Sequence, residues 1–168
     1  QGCVDHVVDV VQRAERGAMF RPERASTQMH ERYAALIREA DIFWGVWLDN
    51  MFDYASSRRA YGRNLAGMVD YNHRDRKDAY YLYRARWNES VPTLHIADRG
   101  WSEREAELQT IDIYSSVGAP QLIVGSDTVA TRNVGRAHYR ADSVAVRTRT
   151  TIRAVSSDGR YSDSIVLR

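Results

Sequence analysis

A run of apolar residues, Ile42-Phe43-Trp44-Gly45-Val46-Trp47-Leu48, stops abruptly at Asp49 and Asn50. A run of this length fits a strand buried on both faces, as in a parallel sheet covered by helices. The polar break then falls at the C-terminal end of the strand, where α/β folds bind their substrates. One short segment therefore predicts both an α/β architecture and the place of a site.

The flanks extend that reading. Val4, Val7, Val8 and Val11 form a helical stripe over residues 3–16. Gly17 and Pro22 bracket a loop, and Ser26 can cap a second helix over 27–40, with Tyr33, Leu36, Ile37 and Ala40 on one face. Beyond the strand, the polar stretch Ser56 to Asn64 is long for a strand-to-helix connection. Asp75 and Asp78 then suit the start of a third helix carrying Ala79, Leu82, Tyr83 and Arg86 on one face. A single parallel strand has no neighbour for its backbone groups. Its partners are expected upstream of Gln1 or in another chain.

The texture changes at Val91-Pro92. Short β-rich runs follow at Thr93–Ala97, Gln109–Tyr114, Gln121–Val124, Ala137–Val146, Thr150–Val155 and Ser164–Leu167, with a short helical stripe allowed only over 103–108. Turn signals at Val117–Pro120, Gly125–Asp127 and Ser157–Gly159 separate them. This spacing predicts an immunoglobulin-like β-sandwich over 90–168, behind an α/β portion over 1–89.

Several function classes are disfavoured. A net charge of +2 over 168 residues argues against a nucleic-acid partner. No apolar run approaches the roughly 20 residues of a membrane span. Cys3 is the only cysteine, which rules out an internal disulfide, and His30, His73 and His95 have no metal-like spacing with it or with each other. No metal or cofactor is expected. Lys77 is the only lysine, and the segment Arg74-Asp75-Arg76-Lys77-Asp78 reads as a solvated helix start with local ion pairs.

The segment Phe43 to Tyr54 resembles the last barrel strand of glycoside hydrolase family 2, the β-galactosidase type. There the family has tryptophan-glycine, three variable residues, then tryptophan-asparagine-methionine-phenylalanine-aspartate. The likeness continues through His30-Glu31-Arg32-Tyr33, Gly67-Met68-Val69, Arg74, Lys77-Asp78-Ala79-Tyr80-Tyr81, Tyr83 and Trp87-Asn88. Thr151-Ile152-Arg153-Ala154-Val155, with Asp158-Gly159 behind it, is similar to the end of the family's C-terminal sandwich.

The resemblance implies the last part of a (β/α)8 barrel, the TIM-barrel architecture, followed by an accessory sandwich. It also implies a retaining mechanism with two glutamates about 5–5.5 Å apart. In the family both lie on earlier strands, so both are expected upstream of this chain, and no catalytic residue is assigned within it. Carbohydrate and the remainder of the barrel are the implied partners. Asp49 aligns with the family's second tryptophan, which typically walls the sugar subsite. Ala66 stands where some members have a sodium-binding asparagine, so that site is not carried over. The candidate substrate contacts are Trp47, Asp49 and Asn50. Asp49 and Asn50 fit sugar hydroxyls or, alternatively, the loop amides of a strand end. Trp47 fits a subsite wall or a core, and Asp53 reads as a turn-stabilising carboxylate. The rival function is a non-catalytic carbohydrate- or protein-binding sandwich with a helical cap, in which Trp101 is the one candidate sugar platform.

Overall fold

In strands such as Gln121–Val124 and Thr151–Val155, buried and more exposed side chains alternate, and the backbone pairs accordingly. The computed structural model describes residues 22–39, 47–58, 62–100, 108–146 and 149–167. The chain divides into two compact units, Gln1–Ala79 and Tyr80–Arg168.

The second unit is built from β3 (Leu94–Ile96), β4 (Leu108–Ser115), β5 (Gln121–Val124), β6 (Asp127–Val129), β7 (Arg132–Gly135), β8 (His138–Ala145), β9 (Thr151–Val155) and β10 (Ser162–Val166). They form two four-stranded sheets, β3-β4-β8-β7 and β10-β9-β5-β6, with every pair antiparallel. In sequence order β3-β4-β8-β7 matches the ABED sheet of an immunoglobulin-type sandwich, and β10-β9-β5 its CFG sheet, with β6 added at the β5 edge. Ile96, Ile111, Ile113, Ala141 and Val144 from one sheet meet Leu122, Val124, Ile152, Ala154 and Ile165 from the other in one buried cluster. Each buried branched side chain contributes roughly 1.5–3 kcal/mol.

A bulge explains one break in the alternation. Gln109 pairs with Val144 and Ile111 with Ala141, so β8 carries one extra residue there. Ser143 takes it up with φ 54°, and Ala141 and Val144 both reach the core although they are three residues apart. The stretch between Val124 and Ala137, where no strand is predicted, in fact holds two. β6 and β7 are short, largely exposed and poor in apolar residues, so they carry no alternation to read. The predicted 103–108 helix lies mostly outside the described residues, and Leu108 belongs to β4. Trp101 is likewise outside them.

Helix α2 (Asp78–Trp87) lies against the outer face of the β3-β4-β8-β7 sheet. Leu82 and Ala85 pack with Ala97 and Tyr114. Tyr81 stacks on His95 with ring centroids 3.8 Å apart and planes 8° from parallel.

In the first unit, helix α1 spans Pro22–Glu39. It begins earlier than the predicted cap at Ser26, which lies within the helix. Proline is pre-organised for the first helical position, and Glu23 supplies favourable charge in the first turn. Of the predicted stripe, Leu36 is exposed. A short hairpin pairs β1 (Tyr54–Ala55) with β2 (Arg63–Asn64). The predicted helix at 3–16 and residues 42–46 of the predicted strand lie outside the described residues. Trp47 and Leu48 are not part of a strand. Among the described residues, no helix is long and apolar enough to cross a membrane.

Candidate functional site

The segment from Trp47 to Lys77 folds around one buried carboxylate. The backbone of Met51 and Asp53 brackets Val69: Val69 N–H donates to Met51 O at 2.9 Å, and Asp53 N–H donates to Val69 O at 3.0 Å. Lys77 N–H then donates to Met68 O at 2.9 Å. These bonds bring three stretches of chain side by side, and the Asp53 side chain closes the arrangement. Its Oδ1 accepts from Gly67 N–H at 3.0 Å and from Lys77 Nζ at 2.6 Å, while Lys77 Nζ also donates to Leu65 O at 3.0 Å.

Gly67 is required here by space. A Cβ at this position would sit 2.2 Å from the carbonyl carbon of Phe52. Asp53 is thus more than a turn carboxylate, and Lys77 is not part of a solvated helix start. Arg74, Asp75 and Arg76 are exposed, but Lys77 is largely buried and its partner lies in a distant stretch. Asp78 is buried, and its N–H donates to Glu23 Oε1 at 2.9 Å. The sequence signal for Lys77 was its status as the sole lysine of an arginine-rich chain; nothing local named its partner.

The turn that follows is tied by Asp70. Its Oδ1 accepts from Arg74 N–H at 2.7 Å and Asp75 N–H at 3.0 Å. The Asp75 and Arg74 amides hold its carboxyl below the ordinary carboxylate range.

On this frame the candidate contact residues stand at the surface. Trp47 is 77% exposed, so it belongs to no core among the described residues. Asp49 is exposed and Asn50 half-buried. Further aromatic rings are displayed by the same unit. The Phe52 ring lies 4.0 Å from that of His73, Tyr54 Oη accepts from Asn64 Nδ2 at 2.8 Å, and the Arg63 guanidinium sits 4.7 Å over the Tyr71 ring. Aromatic faces beside carboxylate and amide groups suit a ligand with apolar faces and hydroxyl edges.

The sandwich holds a second concentration of charge. Asp112 on β4 and Arg140 on β8 are directly opposed, as are Tyr114 and His138. Asp112 Oδ1 lies 2.8 Å from His138 Nε2 and accepts from Arg140 Nε at 2.7 Å. Burial alone would raise the Asp112 carboxyl, but the hydrogen bonds and charges of His138 and Arg140 hold it well below the ordinary range. Both Asp112 and His138 are buried in the sheet face. The network reads as a structural tie.

No family model matches the chain. A β-glucuronidase from Bacteroides fragilis is 28% identical over 123 residues, which make up 71% of this chain and 18% of that protein. Among solved structures, a provisionally assigned β-galactosidase from Bacteroides fragilis superposes with a TM-score of 0.81 at 26% identity, covering 89% of this chain and 23% of that one. The chain is homologous to a segment of family 2 glycoside hydrolases. An FMN-binding β-glucuronidase from Faecalibacterium prausnitzii gives a TM-score of 0.77 at 28% identity, over 87% of this chain and 23% of its own. The chain therefore spans less than a quarter of the length of each of these relatives, 18% to 23%.

Proposed function

We propose that this chain is the C-terminal segment of a retaining glycoside hydrolase that cleaves terminal β-galactosides or related β-glycosides, β-glucuronides among them. Residues 1–89 are the end of a (β/α)8 catalytic barrel and residues 90–168 an accessory sandwich. The two catalytic glutamates come from the part of the parent that precedes this segment. Trp47 walls the sugar subsite, while Asp49 and Asn50 bond sugar hydroxyls.

One observation carries this reading. In the sandwich unit, isoleucines, leucines and valines close a core. Among the described residues of the first unit, the buried apolar side chains are Met68, Val69 and Ala79, whereas Leu36, Trp47, Met51, Phe52, Tyr54, Leu65 and Tyr71 are exposed. Such a display of large apolar groups is the mark of a surface that meets something else. The missing strands of a barrel supply that something. The rival reading, a free-standing binding module, suits the sandwich, which closes its own core, but gives the exposed groups of the first unit no role.

The experiment is a hybrid in which this chain replaces the matching segment of the Bacteroides fragilis β-glucuronidase, assayed on aryl β-glucuronides and aryl β-galactosides. Activity of the hybrid, with Asp49→Ala lowering kcat/KM about tenfold or more, is the expected result. The 168-residue chain alone should be inactive. Enzyme-like turnover by the chain alone would overturn the placement of the glutamates.

A further inference from the structure

We propose that a cleft in the sandwich unit binds the carboxylate of an acidic sugar. The cleft is open to solvent, has a volume of about 530 Å³ and is formed by Arg86 of α2, Glu89 just beyond that helix, the β4–β5 turn with Ser116 and Gly118, and the β7–β8 turn with Arg136 and Ala137. That volume falls in the range of small-ligand sites, roughly 300–1,000 Å³.

The walls are tied together before any ligand arrives. Arg86 Nε donates to Arg136 O at 3.0 Å, Ser115 N–H donates to Ala137 O at 3.0 Å, and Ser115 Oγ donates to Gly118 O at 2.7 Å. Across the other side, Thr93 N–H donates to Ser116 Oγ at 2.9 Å. A site braced in this way loses little freedom on binding. Ala137 is held at φ 56°, a left-handed backbone that a residue with a Cβ adopts at a cost. Strained positions of this kind gather at ligand sites.

The chemistry follows from the side chains. The lining includes two arginines, Arg86 and Arg136, and one glutamate, Glu89, so its net charge favours an anion. Guanidinium groups bind carboxylates in paired hydrogen bonds. Glu89 can accept from hydroxyls, and the half-buried Tyr139 lends an apolar wall. A hydroxylated carboxylate of sugar size meets all three demands. The saccharide part of this assignment rests on the glycosidase reading above; the anion part does not.

The test is a titration of the ¹⁵N-labelled chain with sodium glucuronate, glucose and sodium sulfate, following amide shifts. Glucuronate should shift the Gly118 and Ala137 amides saturably, with a Kd on the order of 1 mM. Arg136→Ala should weaken this about tenfold with an unchanged melting midpoint, and Arg136→Lys should recover part of the loss. Glucose binding as tightly as glucuronate, unchanged binding in Arg136→Ala, or no saturation by about 50 mM would each overturn the proposal. Sulfate saturating those amides where glucuronate does not would overturn the acidic-sugar assignment. These readouts do not depend on turnover, so an inactive hybrid enzyme leaves them intact.

Discussion

Asp53 and Lys77, 24 residues apart in the chain, meet in a buried ion pair with Nζ 2.6 Å from Oδ1. The pair joins the stretch bearing Trp47, Asp49 and Asn50 to the residue that immediately precedes α2. Removing the lysine leaves a carboxylate that is 4% exposed with the Gly67 amide as its remaining donor among the described residues. Breaking a buried pair from one side typically costs about 3–5 kcal/mol. The lysine side chain is 15% exposed, so Lys77→Met should cost less, about 2–4 kcal/mol. Asp53→Asn should cost less again, because the amide oxygen still accepts from Gly67. The double variant should lose less than the sum of the two. Amide exchange at Gly67 and Val69 measures all three.

Gly67→Ala should be more disruptive than either charge variant. The added methyl would lie 2.2 Å from Phe52 C and 2.3 Å from Asp53 N, both backbone atoms that no rotamer change can clear. The cost should reach about 3 kcal/mol or more, at the upper end for overpacking. The sandwich has its own core, so limited proteolysis should cut within residues 47–77 while amide shifts of β4, β8 and β9 stay in place.

Asp112 sets the acid limit of the sandwich. Its carboxyl is depressed in the folded state, so the stability it contributes is fully present above the unfolded value near 3.9 and is lost as pH falls below it. The wild-type melting midpoint should therefore drop below about pH 4. Asp112→Asn should remove much of that dependence while lowering stability at pH 7 by about 3 kcal/mol, because Arg140 loses its charge partner and the hydrogen bonds to His138 and Arg140 are weakened. Thermal melts of both proteins between pH 3 and 7 check the sign.

Ser143 offers the opposite outcome. It holds the bulge residue of β8 at φ 54° and its side chain is exposed. Glycine takes that backbone without steric cost but loses more chain entropy on folding. The balance predicts that Ser143→Gly stabilises by about 0.5 kcal/mol, seen as a raised urea midpoint with unchanged slope.

How much of this was legible in the sequence depended on whether the deciding contact was local. β5 and β9 follow alternating runs closely, because one buried and one more exposed face impose a period of two that neighbours reveal. β6 and β7 bury little and gave no period. α1 started at Pro22 instead of after Ser26 because a proline that ends a loop and one that opens a helix look alike in isolation. The candidate contact triplet Trp47, Asp49 and Asn50 could be named from a family likeness, but the clasp behind it could not. Asp53, Gly67 and Lys77 are spread over 25 positions, and only the fold brings them together.

Trp47 separates the two roles the sequence allowed for it. A core tryptophan truncated to alanine costs about 3–5 kcal/mol. A side chain 77% exposed should cost within about 0.5 kcal/mol. In the 168-residue chain, Trp47→Ala should therefore leave the urea midpoint unchanged. In the hybrid enzyme the same substitution should lower kcat/KM, with Trp47→Phe retaining part of the activity because a smaller ring still covers the apolar face of a sugar. A large stability loss in the isolated chain would return Trp47 to the core, and an unaffected hybrid would remove it from the subsite wall.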